Sequence, residues 1–110
     1  MIRITVYADD SQSYTGFDTE GHAGYAEDGQ DIVCAAASIL IINTLNAIEA
    51  FTDEETSCIS DEEAGMIRFR FLSRPGHDAK LLMDTMILGL QNMEESDSYE
   101  SYIDIIFKEV

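Results

Sequence analysis

Two residues twelve positions apart, His22 and Cys34, are the pair in this sequence best suited to chemistry; both lie in GHAGYAEDGQDIVCAAAS, residues 21–38. A thiolate is a nucleophile. An imidazole within reach is a general base that later, as imidazolium, protonates a leaving amine. Gly21, Gly24 and Gly29 punctuate the intervening loop and give it backbone angles that other residues resist, so it can fold back and move. A plainer reading stands beside this one. A cysteine opening an apolar run is usually a small buried hydrophobe, and a single loop histidine is usually only that. Spacing alone leaves both readings open.

The element that must hold Cys34 is a helix, since 32 to about 51 is apolar on most of its faces. Asp31, just before the run, is a good N-cap and places Cys34 in the first turn. First-turn amides have no intrahelical acceptor, and the positive end of the helix dipole lies there, so a thiol ionises more readily. Lowering a thiol from ~8.5 to ~7 raises its thiolate fraction at pH 7 from about 3% to about half. The same free amides, that of Cys34 included, could form an oxyanion hole. Asp31 or Asp28 could orient His22. The surrounding acidity opposes ionisation, but most of it should lie beyond the Debye length of about 8 Å, so the local effect is expected to win.

Other candidates are weaker. His77, after Pro75-Gly76, reads as a helix-entry residue, and Cys58 as a structural residue of a short strand. Two histidines and two cysteines this scattered do not have zinc-site spacing, and nothing here asks for a metal or cofactor.

The chain of 110 residues suits one domain, 1–110, and its 45% hydrophobic content supports a folded core. Strands are expected over residues 2–7, 14–19, 56–60, 66–72 and 102–110, and a second helix from about 78 to 93 carries Leu81, Leu82, Thr85, Met86, Leu88 and Leu90 at helical spacing. The acidic turn DEEAG joins the third and fourth strands. The order β-β-α-β-β-α-β implies an α+β fold of two layers, with two helices on one face of a mixed or antiparallel sheet. A helix as apolar as the first needs cover beyond the sheet, from the second helix or a second subunit.

The N-terminus, MIRITVYADD, alternates like a strand and lacks the basic head and apolar block of a targeting peptide. The uncharged run 32–48 approaches spanning length, but Ser38, Asn43, Thr44 and Asn46 within it argue against a membrane helix. With no export signal, both cysteines are expected to be reduced and the protein cytoplasmic. The net charge of −16, from 22 acidic and six basic residues, disfavours direct nucleic-acid binding and would steer basic partners inward.

The run G-H-A-G-Y-A-x-x-G-x-D-I-V-C-A-A-A-S resembles the signature of the bacterial ribosomal-processing cysteine protease family, through Gly21-His22-Ala23, Tyr25, Gly29, Asp31-Ile32-Val33-Cys34-Ala35-Ala36 and Ser38. Ala37, where relatives often carry valine, is a minor departure. Elsewhere the likeness is in length and element order. The resemblance implies that Cys34 is the nucleophile, that His22 is its base, and that Gly21 gives the loop freedom to admit substrate. It also implies a homodimer, and a substrate in large-subunit ribosomal protein twenty-seven, whose N-terminal extension is removed beside paired aromatic residues. An apolar groove next to Cys34 is therefore expected. Two rivals stand against the hydrolase: a non-catalytic acidic module that holds a basic ribosomal protein during assembly, and a thiol redox sensor needing only a reactive Cys34.

Overall fold

The computed structural model describes residues 1–21, 28–61, 63–96 and 102–110; of residues 28–31 it describes the backbone only. Alternation along β1 (Ile2–Ala8) buries Ile2, Ile4 and Val6 and turns Arg3, Thr5 and Tyr7 to the opposite face. The chain reverses at Asp9, whose carboxylate accepts the N–H groups of Ser11 and Ser13, both at 2.9 Å, and returns antiparallel as β2 (Tyr14–Glu20). β3 (Thr56–Asp61) and β4 (Met66–Phe71) form the expected hairpin. Asp61 Oδ1 ties its turn by accepting the Glu63 N–H at 3.0 Å, and Gly65 supplies a left-handed φ of 62°. β5 (Ile103–Glu109) runs parallel to β1, with Ile2 beside Ile103. The sheet is mixed and its order is β3-β4-β2-β1-β5.

Both helices, α1 (Asp28–Phe51) and α2 (His77–Glu95), cover one face of this sheet. From α1, Val33, Ala37, Ile41 and Ile48 enter the core. They meet Ala79, Met83, Met86, Ile87 and Leu90 of α2, and Phe17 and Phe69 from the sheet. The helices approach closely at Gly89, where an added Cβ would lie 3.1 Å from Leu40 Cδ1. Leu81 and Leu88, expected on the packed stripe of α2, are exposed. They stand seven residues apart on the side away from the sheet; α2 has more apolar positions than its contact face can bury. α1 is long and apolar enough over Ile32–Phe51 to span a membrane by length and composition. Its Asn43 and Asn46 are exposed, while Thr44 turns inward and donates its hydroxyl to the Leu40 carbonyl at 2.7 Å.

The sheet's other face is held by polar contacts. Arg70 Nη1 donates to Asp18 Oδ1 at 2.7 Å, the Tyr7 hydroxyl donates to Asp18 Oδ2 at 3.0 Å, and the Arg70 guanidinium lies 4.7 Å from the centre of the Tyr7 ring. Desolvation pushes the Asp18 carboxyl up, but the hydrogen bonds from Arg70 and Tyr7, with the nearby arginine charges, outweigh it and hold the carboxyl below its ordinary value. A depressed folded-state value stabilises the fold above the unfolded value, 3.8, and that contribution is lost as pH falls through the depressed one. Asp18→Asn should therefore cost about 1 kcal/mol at pH 7, after allowing for partial exposure. Urea unfolding of variant and wild type should show the gap closing in acid; an equal gap at pH 7 and pH 3 would show the contact to be indifferent to charge.

Candidate active site

α1 leaves the β3 edge of the sheet uncovered: all six residues of β3 are exposed. Cys58 is paired with the buried Phe69, so the side chains of Thr56, Cys58 and Ser60 share its helix-facing side. Between this strip and α1 runs a groove of about 400 Å³, walled by Cys34, Ala37 and Ile41 and floored by Cys58, Ser60 and Ile67. This is the apolar groove expected beside Cys34. It exists because β3 carries short side chains where α1 fails to reach.

Cys34 is half-buried, packed against the edge of the core and open to the groove. Its place on the helix differs from the expectation. α1 begins at Asp28, so Asp31 is the fourth helical residue instead of the N-cap, and Cys34 is the seventh. Residues 28–31 are polar and carry no apolar periodicity to announce a helix, yet they extend it by one turn; a glycine there costs about 1 kcal/mol and does not forbid it. Two consequences follow. The free amides of α1 belong to residues 28–31, while the Cys34 N–H falls in the i→i−4 ladder and is spent there. The helix dipole, which fades within the first turn, does not act on Cys34 at contact range. Cys34 therefore lies beyond the reach of the helix-end amides.

Of the two histidines, His22 lies outside the described residues, as does the Asp31 side chain. His77 opens α2, exposed, with Nδ1 at 3.1 Å from Asp78 Oδ1. Its neighbour Gly76 donates its N–H to Glu54 just beyond the C-terminus of α1, and the 17 residues from Cys34 to Phe51 span roughly 25 Å. His77 is at the wrong end to serve Cys34, in keeping with its reading as a helix-entry residue.

Gly21 lines the same groove as Cys34. Its φ is +82°, its N–H donates to the Ala64 carbonyl at 3.3 Å, and a Cβ built on it would lie 2.5 Å from the Met1 carbonyl oxygen. Only glycine fits. Gly21→Ala adds about 1–2 kcal/mol of left-handed strain to that clash. It should lower the melting temperature by several degrees and kcat/KM more than tenfold; a variant that melts and turns over like wild type would show that this corner yields freely.

Cys58, expected to be only a structural strand residue, is exposed and lines the same groove as Cys34. Period-two spacing gives the face of a strand residue but not whether a helix covers it. Desolvation pushes the Cys58 thiol up, which favours the protonated form and makes it a poor nucleophile.

The chain matches the family model described as cysteine protease Prp over residues 1–104. It is 34% identical over 95 residues to the ribosomal processing cysteine protease Prp of Staphylococcus aureus strain Mu50, covering 86% of this chain and 90% of that one. It is 30% identical over 98 residues to the protein of the same name from Bacillus subtilis strain 168, covering 86% and 88%. Its fold superposes on the crystal structure of the essential ribosomal processing protease Prp from S. aureus in complex with a substrate peptide, with a TM-score of 0.90 and 31% identity over 98% of this chain and 100% of that one. The S. aureus enzyme with a covalently linked product peptide gives a TM-score of 0.88 at 32% identity, with the same coverage of both chains. A half-buried thiol beside an open groove, on a fold shared end to end with these enzymes, makes this chain a cysteine protease, and it belongs to the Prp family.

Proposed function

We propose that this protease removes the N-terminal extension of large-subunit ribosomal protein twenty-seven by acyl transfer through Cys34, with His22 as its base. The observation that carries this reading is the placement of Cys34 on the wall of an open apolar groove. A large apolar side chain next to the scissile bond can lie there, and the paired aromatic residues implied by the family resemblance suit such a lining. The Cys34 thiolate attacks the scissile carbonyl carbon, forming a C–S bond and moving the carbonyl electron pair onto oxygen. Collapse expels the amine, which takes the proton held by His22. Water, deprotonated by His22, then cleaves the thioester. Ribosomal processing is the role named for the S. aureus and B. subtilis relatives. A net charge of −16 suits a basic precursor, and the two free thiols suit the cytoplasm.

The test is incubation of the purified precursor with this protein and mass measurement of both fragments. One cut beside the aromatic pair, with kcat/KM falling as salt rises, is expected; tight binding without a cut would favour the non-catalytic module.

The protein acts as a homodimer in this reading. Ile32 and Ile39 of α1 are 56% and 68% exposed, with exposed Ala35 between them, an apolar stripe at heptad spacing that a second copy would cover. Ile39→Glu should halve the mass seen in sedimentation equilibrium; an unchanged mass would place any dimer contact elsewhere.

A further inference from the structure

β3 is an edge strand, and its register shows which of its backbone groups are free. The Leu72 N–H donates to the Glu55 carbonyl at 2.9 Å, and the pairing of Thr56 with Phe71 makes these two residues directly opposed. Opposed residues in an antiparallel pair alternate between bonded and non-bonded. Residues 55, 57, 59 and 61 therefore spend their N–H and C=O on β4, while Thr56, Cys58 and Ser60 turn theirs outward. Among the described residues none takes those outward groups. The opposite edge differs: the outward N–H of Ile105 on β5 donates to Glu94 Oε2 of α2 at 2.7 Å. Edge strands are usually blunted by lysine, proline, a bulge or a covering element. TSCISD has none of these, and its Cys58 and Ser60 line the groove that holds Cys34.

Charge selects what can pair there. Asp53, Glu54 and Glu55 precede the strand, and Asp61 and Glu63 close it. Two-fold pairing with β3 of a second copy would set the leading acids of one strand against the trailing acids of the other, a like-charge arrangement. An extended cationic segment meets opposite charge at both ends. We propose that the free edge of β3 is a docking strand that takes an extended basic segment of the substrate by strand addition, beside the groove that receives the cleaved residues. This rests on the proteolytic reading of the groove, but it is a statement about binding and can be tested without turnover.

The experiment uses full-length Cys34→Ala protein and a fluorescein-labelled peptide carrying the precursor's cleavage site and its basic flank, with Kd read by fluorescence anisotropy. Thr56→Pro deletes one outward N–H, leaves the β3–β4 ladder bonded, and changes no groove-lining residue. It should weaken binding about 10-fold, whereas Thr56→Ala, which keeps the amide, should bind like the parent. Alternate backbone N-methylation of the flank in the peptide needs no protein variant, and one of its two registers should weaken binding as strongly while the other does not. Two N-methylated registers that both bind like the unmodified peptide would overturn the proposal. So would sedimentation showing that Thr56→Pro dissociates a dimer while peptide affinity holds, since the edge would then belong to a second copy.

Discussion

Cys34→Ala should cut turnover of the precursor by on the order of 10⁴-fold or more while leaving precursor binding close to that of wild type. Losing the nucleophile of a covalent mechanism leaves only the contribution of binding and orientation to the reacting bond. The side chain sits at the margin of the core, so removing its sulfur opens space toward the groove more than a sealed cavity, and the melting temperature should move by only a few degrees. Cys58→Ala is the matched control: it shares the groove, and its thiol is held toward the protonated form, so turnover should persist. Fragment masses over time in the three proteins decide the matter. Cleavage retained by Cys34→Ala would remove the thiol from the mechanism.

His22→Ala is expected to have the second-largest effect, a loss of about 10²–10⁴ in kcat with little change in KM, the range for removal of a general base. Because α1 starts at Asp28, Cys34 stands about 9 Å along the axis from the helix start, out of range of the dipole's contact effect. The thiol thus depends on a side-chain base more than a first-turn cysteine would. His77 is remote from it, and in the proposed mechanism the base is His22. His77→Ala should cleave like wild type. Added imidazole should restore part of the lost rate in His22→Ala, a recovery that a purely structural histidine would not show. A His22→Ala variant as fast as wild type would mean that the thiol is activated by other means.

The elements were legible wherever local chemistry repeats. Ile2, Ile4 and Val6 alternate against Arg3 and Thr5, and the acids and Gly65 between the third and fourth strands mark a tight reversal, so β1 and the hairpin follow from the chain itself. That β5 lies parallel to β1 did not follow, since no local pattern in either strand names its neighbour. The start of α1 was missed for a related reason: Asp28 to Asp31 form a helical turn with no apolar stripe, so the first hydrophobic residue looked like the first turn. That error moved Cys34 one turn along the helix and removed the expected amides from its side. The pairing of Cys58 with Cys34 across one groove was beyond reach of the sequence, because a groove is made by where a helix stops covering a sheet. The residues carrying the motif were visible as a pattern of types, whereas their chemistry depends on distances that only packing sets.

The central claim, that Cys34 is the reacting atom's carrier, is tested most directly with a peptidyl chloromethyl ketone built on the aromatic residues of the precursor's cleavage site. Intact-mass and fragment spectra should show one adduct per chain, on Cys34, forming with saturable kinetics and slowed by substrate. Labelling of Cys58 instead, or modification of Cys34 no faster than in the unfolded chain, would contradict the account.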